Sequence, residues 1–255
     1  VRGLFEIHQK YGSLPWEELL IPAINLANEG FIVYPSLEKA ITKRKQLLLQ
    51  FESTKNIFFP SGSQLKSGDI LYQKDLANTL SEISQKGPDA FYKGHIAKKI
   101  IDEVRSGGGI LSLEDLYHYQ VKNRLAINST YKNHRLVMMP LPSSGGVHIA
   151  QILKIIENDP LDAWGHKDPR TVHLIVEAMK RAYRDRAYEL GDPDFSSINT
   201  QKILNENYLQ QMRAEISFEK ATPASDLLRK EHPTFLKESP STTHISIVDE
   251  KGNAV

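Results

Sequence analysis

The chain has 255 residues, 40% hydrophobic and 25% charged, which is the composition of a globular protein with one large or two small domains. Its net charge of +1 provides no basic field for nucleic acid or an anionic membrane. The absence of cysteine excludes disulfides, thiolate metal sites and a cysteine nucleophile, and no apolar run approaches the roughly 18 residues of a membrane span.

The N-terminal region predicts short helices. Ser13, followed by a proline and two acids, is typical of a helix start. Pro22 is expected to interrupt this helix, so that one segment ends at Leu20 and a second runs to Asn28 and is closed by Gly30.

Further helices are predicted along the chain. Ser36, Asp75 and Asp89 are the expected N-caps, and residues 58–69 form a loop rich in Ser, Gly and Pro. The helix after Asp89 should end at residues 107–109 and carry four apolar residues at helical spacing: Tyr92, Ile96, Ile100 and Val104. Ser112 and Asp115 match a capping box at the start of another helix.

A buried strand followed by a glycine-containing turn is predicted next. The apolar run 136–139 indicates a strand buried on both faces. A helix with an apolar stripe at Ile149, Ile152, Leu153 and Ile156 follows the turn. A helix N-terminus exposes N–H groups, so four turn residues are possible site-lining residues: Ser143, Ser144, Gly145 and Gly146. The alternative is a tight strand-to-helix connection that binds nothing.

A longer helix is predicted from Thr171 to a stop at residues 191–193. Its apolar residues are expected to face the core: Val172, Ile175, Val176, Met179, Tyr183 and Leu190. Its charged residues are expected to face solvent: Lys180, Arg181, Arg184 and Asp185.

The end of the chain combines a linker with a strand. Residues 218–241 are polar, contain three prolines and are predicted to be an exposed linker. From Thr242 the apolar residues Ile245, Ile247 and Val248 predict a strand, and residues 249–252 predict a turn with glycine at positive φ. A second strand of only about three residues is shorter than usual, so we expect the chain to be the upstream part of a longer protein.

Common catalytic motifs are missing. The chain has no G-x-S-x-G elbow, Walker loop, G-x-G-x-x-G or H-E-x-x-H motif. Ser129 and Lys132 match S-x-x-K without its companion motifs, and His166 and His173 lack a metal-binding spacing. We therefore expect neither a metal nor a cofactor.

Thr242 is the candidate nucleophile. A threonine at a chain N-terminus is activated by its own α-amine, whose ordinary pKa is about 8. This arrangement requires cleavage of the preceding peptide bond, and a polar linker that leads directly into a strand suits such a cut. The alternative is that Thr242 and Thr243 are only β-favouring residues at the start of a strand.

Several blocks of the sequence resemble the γ-glutamyltranspeptidase family. T-T-H-I-S-I-V-D-E-K-G-N-A-V, from Thr242, is similar to the segment that opens the family's small subunit. Four further blocks resemble the large subunit in the family's order: Y-G-S-L-P-W-E-E-L-L-I-P-A-I-N-L-A-N-E-G-F-I-V, G-P-D-A-F-Y-K-G, G-G-G-I-L-S-L-E-D-L and M-P-L-P-S-S-G-G-V-H. A fifth, R-A-Y-E-L-G-D-P-D-F, follows them. The resemblance covers nearly the whole chain.

The resemblance implies an N-terminal-nucleophile hydrolase fold of the α/β (α+β) class, an αββα sandwich that is incomplete in this chain. Residues 1–241 would form the large-subunit-like region and 242–255 the start of the small subunit. Self-cleavage would fall between Ser241 and Thr242. Thr242 would then be the catalytic nucleophile, with Thr243 and His244 possible site-lining residues.

The implied substrates are glutathione or other γ-glutamyl compounds, with water, an amino acid or a dipeptide as acceptor. The implied partner is the chain's own small subunit, no nucleic acid partner is expected, and the implied location is periplasmic or secreted. The 255-residue chain alone is expected to be inactive and uncleaved, and to self-associate. The alternatives are a non-catalytic large-subunit-like relative and a related N-terminal-nucleophile acylase.

Overall fold

The computed structural model describes residues 1–228, 247 and 249–252. The chain divides into two compact units, Val1–Asn123 and Arg124–Val255. Within the described ranges, no helix is both long and apolar enough to cross a bilayer.

The first unit is mainly helical. Its elements are α1 (Arg2–Tyr11), α2 (Trp16–Glu29), β1 (Phe31–Ile32), α3 (Pro35–Leu48), α4 (Glu52–Phe58), a 3₁₀ turn (Pro60–Gly62), β2 (Ile70–Leu71), α5 (Lys74–Lys86), α6 (Asp89–Tyr92), α7 (Gly94–Ser106) and α8 (Leu113–Tyr117). The strands β1 and β2 pair antiparallel, with Phe31 opposite Leu71. One core cluster surrounds Val33 and Ile41, and a second surrounds Ile83 and Ile96.

Helix α2 continues through Pro22, so the predicted interruption is wrong. Packing before the proline compensates for the missing backbone donor, and Ala27 after it is buried as well. Trp16 and Leu20 pack against the Ile83 cluster, and the Trp16 indole N–H donates to the Ile83 carbonyl at 3.2 Å. The predicted C-terminal Gly30 is confirmed, with φ of +80°.

The predicted caps in this unit have mixed outcomes. Ser36, Asp75 and Asp89 all lie inside the first turns of their helices, because the chain becomes helical one or two residues earlier than predicted. The helix predicted after Asp89 is divided into α6 and α7 at Lys93, whose backbone is extended. The capping box of Ser112 is confirmed.

The second unit combines a β-hairpin with helices. Its elements are β3 (Ile127–Tyr131), β4 (His134–Met138), α9 (Gly145–Ile156), α10 (Leu161–Trp164), α11 (Pro169–Glu189), α12 (Thr200–Ile203), α13 (Glu206–Ala214) and α14 (Ala224–Leu227). Strands β3 and β4 pair antiparallel, with Ile127 opposite Met138. The main core lies between α9, α11 and α13, around Ile155, Leu174 and Met212.

The β4 strand confirms the predicted position but not the predicted burial. Val137 and Met139 are 62% and 65% exposed. Side chains alternate between the faces of a strand. In the described part of the chain, β4 pairs only with β3, and one face of this hairpin remains uncovered.

Helix α11 faces the opposite way from the prediction. Leu174, Ala178 and Ala182 are buried together with three charged residues, Glu177, Arg181 and Asp185. The predicted core residues Val172, Val176, Met179 and Tyr183 are exposed, while Ile175 and Leu190 are partly buried. Arg181 and Asp185 were therefore wrongly assigned to solvent, and Lys180 and Arg184 are largely buried as well. The charges tolerate burial because each has oppositely charged or hydrogen-bonding partners.

Candidate functional site

The predicted nucleophile and its neighbours lie outside the described residues: Ser241, Thr242, Thr243 and His244. Their roles therefore remain predictions. The turn that follows them is described and confirmed. Asp249 accepts hydrogen bonds from the N–H groups of Lys251, through Oδ1 at 2.9 Å, and of Gly252, through its carbonyl at 3.0 Å. Gly252 has φ of +80°.

The turn that contains the candidate site-lining residues connects β4 to α9. Helix α9 begins at Gly145, and the His148 N–H donates to the Ser144 carbonyl at 2.9 Å. Ser143 is exposed, whereas Ser144 and Gly145 are half-buried and Gly146 is buried. The turn thus presents two serines and the first turn of a helix near the surface.

Gly146 has a structural explanation within the chain. A Cβ atom at this position would lie 2.2 Å from the Met139 carbonyl oxygen and 3.0 Å from the Met138 Cβ. Glycine here permits close approach of helix to strand, as the tight-connection alternative requires. A Cβ at Gly145 would meet only Ser143 Oγ, at 3.6 Å. Packing thus explains why position 146 is glycine, and a site-lining role for Ser143, Ser144, Gly145 and Gly146 stays a prediction.

A buried polar cluster includes Gln151, which lies in the helix that this turn opens. Asp185 accepts hydrogen bonds from the Gln151 side chain at 2.7 Å and from the Tyr208 hydroxyl at 3.0 Å. Arg184 donates to the same carboxylate at 3.0 Å and to the Tyr208 oxygen at 3.1 Å. Gln151 also donates to the Ile203 carbonyl at 3.2 Å. The cluster joins α9, α11, α12 and α13 through side chains that are largely removed from water.

Burial and the charges of this cluster shift the pKa values of two of its members. Burial and the adjacent Asp185 carboxylate raise the pKa of Tyr208 to about 12. Burial alone would lower the pKa of Arg184, but the charge of Asp185 and the hydrogen bonds to Asp185 and Tyr208 together outweigh burial and raise the pKa. Tyr208 therefore remains a protonated donor, and Arg184 a cation, throughout the neutral pH range.

A second buried cluster occupies the middle of α11. Glu177 accepts from the Arg181 guanidinium at 2.7 Å and also from Lys180. Its carboxylate further accepts the Thr222 N–H at 3.0 Å. Burial raises the pKa of Glu177, but these hydrogen bonds outweigh burial and lower the pKa to about 2. Glu177 is therefore an anion that is held by two cations and one backbone amide.

Sequence reasoning missed both clusters, although a signal was present. Glu177, Arg181 and Asp185 follow one another at intervals of four and so lie on one helical face. Leu174 and Ala178 share that face. Alternating charges among apolar residues on one face were a sign of buried ion pairs. The described residues contain no group of three or more His, Asp or Glu that could hold a metal.

Comparison with known proteins identifies the family. The gamma-glutamyltranspeptidase family model matches residues 1–255. A glutathione hydrolase proenzyme from Escherichia coli (strain K12) is 40% identical over 256 residues, covering 100% of this chain and 44% of that protein. The acylase ACY 1 proenzyme from Pseudomonas sp. (strain V22) is 34% identical over 255 residues, covering 100% of this chain and 45% of that protein.

The fold is also found among solved structures. The crystal structure of Helicobacter pylori gamma-glutamyltranspeptidase matches with a TM-score of 0.86 and 34% identity, covering 92% of this chain and 68% of that one. The predicted N-terminal-nucleophile hydrolase fold, with mixed helix and sheet, is therefore confirmed. The chain spans about 44% of the length of curated relatives such as the E. coli protein.

Proposed function

Because the chain belongs to the γ-glutamyltranspeptidase family, we propose that its full-length protein is a self-processing γ-glutamyl transferase and hydrolase. The alignment with a known proenzyme carries the proposal, and the position of Thr242 agrees with it. The whole chain aligns at 40% identity with a glutathione hydrolase proenzyme, and Thr242 stands where a polar segment meets a strand-forming sequence. The proposed substrates are glutathione and other γ-glutamyl compounds.

The proposed processing step cuts the bond between Ser241 and Thr242. The Thr242 hydroxyl oxygen attacks the Ser241 carbonyl carbon, the peptide C–N bond breaks as an ester forms, and the hydroxyl proton passes to the Thr242 nitrogen, which becomes a free amine. Water then hydrolyses the ester, which releases a Ser241 carboxylate and restores the hydroxyl. Thr242 becomes a chain N-terminus, and its free α-amine can act as a base near neutral pH.

The proposed catalytic cycle uses the same hydroxyl. Its oxygen attacks the γ-glutamyl carbonyl carbon while the α-amine takes its proton. The amide C–N bond breaks, the proton passes to the leaving amine, and a γ-glutamyl ester remains on Thr242. Water, an amino acid or a dipeptide then attacks the ester and restores the hydroxyl. The small subunit is the proposed partner that completes the site.

The test is expression of the full-length gene product with Thr242→Ala and, as a conservative control, Thr242→Ser. We expect the wild type to yield a new N-terminus at Thr242 and to release amine from a γ-glutamyl anilide. The alanine variant should lose both activities, whereas the serine variant should retain measurable cleavage. Self-cleavage or γ-glutamyl release by the alanine variant would contradict the proposal.

A related acylase is the second candidate, favoured by the 34% identity to acylase ACY 1 proenzyme over the whole chain. The two activities differ in the acyl group that is released. Parallel assays with a γ-glutamyl anilide and a glutaryl amide distinguish them, since an acylase would prefer the second. A non-catalytic relative would turn over neither substrate, and it would not need a threonine at position 242.

We also propose export of the full-length protein to the periplasm or medium, on the basis of the family resemblance alone. Cell fractionation with an antibody against this chain tests the location. Exclusive recovery with cytoplasmic markers would refute it.

A further inference from the structure

We propose that Glu177, Lys180 and Arg181 form a clamp on Thr222 that orients the polar segment leading to the processing junction. The inference rests on the proposed self-processing, and it assigns positioning residues for that reaction. We call these four residues the Thr222 clamp.

The clamp holds one residue by three of its polar groups. The Glu177 carboxylate accepts the Thr222 N–H at 3.0 Å, and the Lys180 ammonium donates to the Thr222 carbonyl at 2.6 Å. The Arg181 guanidinium lies 3.5 Å from the Thr222 hydroxyl oxygen. Because the N–H and C=O of Thr222 are both held, the peptide planes on either side of it are fixed.

The cost of burying charge shows that this contact is more than ordinary packing. Glu177 and Arg181 are each 1% exposed. Apolar residues of similar volume commonly stabilise a core as well as a buried ion pair does. Here, however, each of the three clamp side chains directs one of its polar contacts to a single residue of a surface segment. Apolar residues on α11 could not bind that backbone.

Neighbouring contacts hold the chain just before the clamp. The Arg181 guanidinium donates to the Glu215 carbonyl at 3.2 Å, and the His173 ring lies within hydrogen-bond distance of the Ser217 carbonyl, at 2.7 Å. The Phe218 ring packs edge-on against Trp164, with centroids 5.6 Å apart. The first residues of the predicted linker therefore follow α11, although most of their side chains are exposed.

The backbone also has a defined path just after Thr222. Pro223 follows at once with φ of −56°, and α14 then forms one helical turn that packs on α11. Leu228, just after this turn, lies 13 positions before Ser241 in the sequence. Phe218, which is held just before the clamp, lies 23 positions before Ser241.

The two sequence separations determine the expected effect on the rate of self-cleavage. For the polar linker that the composition predicts, the probability of bringing its ends together falls roughly as the −3/2 power of length. If loss of the clamp moves the start of this predicted linker from Leu228 back to Phe218, self-cleavage should slow about twofold. Turnover by molecules that are already cleaved should stay unchanged, because the clamp acts on processing alone.

The test compares Glu177→Gln and Lys180→Met in the full-length gene product. Lys180→Met keeps the Glu177–Arg181 ion pair and so preserves the fold if the first variant is unstable. Asp185→Asn is the matched control, because Asp185 is an equally buried carboxylate two turns further along α11 and has no contact with Thr222. Limited trypsin digestion reports directly on the clamp through cleavage after Lys220.

We expect both clamp variants to self-cleave about twofold more slowly and to be cut after Lys220 about tenfold faster, since a charge-assisted hydrogen bond is lost. The Asp185→Asn variant should process at the wild-type rate and keep Lys220 protected. Wild-type self-cleavage rates in both clamp variants would overturn the inference. A wild-type protein that never cleaves itself would instead overturn the proposed function, and wild-type protection of Lys220 in both clamp variants would overturn the clamp separately.

Discussion

Gly146 lies so close to Met139 that a methyl group on its Cα would come within 2.2 Å of the Met139 carbonyl oxygen. The obstructing atom belongs to the backbone of the chain leaving β4, so no side-chain rotation can relieve the contact. The separation between β4 and α9 therefore depends on the absence of a side chain at this position.

Gly146→Ala should destabilise the second unit. We expect a loss of about 1–3 kcal/mol in unfolding free energy, the usual cost of overpacking, because β4 and α9 must move apart. Urea denaturation monitored by circular dichroism measures it. Gly145→Ala is the control, since its new methyl group meets only Ser143 Oγ at 3.6 Å and should cost far less. Equal losses in the two variants would contradict this explanation.

Glu177 should make stability depend on acid pH. Its pKa is about 2 in the folded chain against an ordinary 4.5, so folding favours the ionised form. The contribution is fully present above pH 4.5 and is lost as the pH falls towards 2, with a limit of about 3 kcal/mol. Urea denaturation of wild type and Glu177→Gln from pH 6 to pH 3 should show their stabilities converging. A difference in stability between the two proteins that stays constant over that range would contradict a lowered pKa of Glu177.

Tyr208 should ionise at a higher pH than an ordinary tyrosine. Because its pKa is raised to about 12, folding favours the neutral phenol. The resulting stability is present below pH 10 and is lost as the pH rises towards 12. Ultraviolet titration of the phenolate band should show an ionisation step near pH 12, which we call the late step, and Tyr208→Phe should remove it.

Tyr11→Phe is the comparison for that titration, because it deletes a phenol that is 81% exposed. This variant should keep the late step. The Tyr208→Phe variant should also lose about 1–3 kcal/mol of stability, since Asp185 loses a buried donor. Persistence of the late step in Tyr208→Phe would show that another tyrosine causes it.

The exposed apolar stripe of α11 should promote self-association of the 255-residue polypeptide. Val172, Val176, Met179 and Tyr183 lie on one helical face and are 39–51% exposed. We expect concentration-dependent association in sedimentation experiments, and Val176→Asp should weaken it. Leu4→Asp, at a residue that is 70% exposed in the first unit, should leave association unchanged. A monomer at all concentrations would refute the prediction.

The sequence predicts local features most reliably where one short interaction determines them. Ser112 and Asp115 satisfy each other across a single turn, so the capping box could be found from spacing alone. Pro22 was misjudged because packing of α2 outweighs a local helix-breaking preference. The family was recognisable because several blocks match in order along the chain.

Burial was harder to predict than position. The periodicity of α11 identifies two faces but does not state which one the remainder of the unit covers. The charged face of α11 is the buried one because Glu177 pairs with Arg181 and accepts a hydrogen bond from the Thr222 backbone. Thr242 is predicted from its sequence context alone, and it lies outside the described residues. The roles of Gln151 and Tyr208 depend on contacts between distant segments, which spacing does not reveal.

The buried pair Glu177–Arg181 also constrains how this sequence can diverge. A single substitution that neutralises either partner leaves the other as an uncompensated charge, which typically costs 3–5 kcal/mol. Exchange for an apolar pair would require both codons to change and would also release Thr222. Positions 177, 181 and 222 should therefore vary together among descendants of this gene, behaving as one inherited unit although the third lies 41 residues from the second.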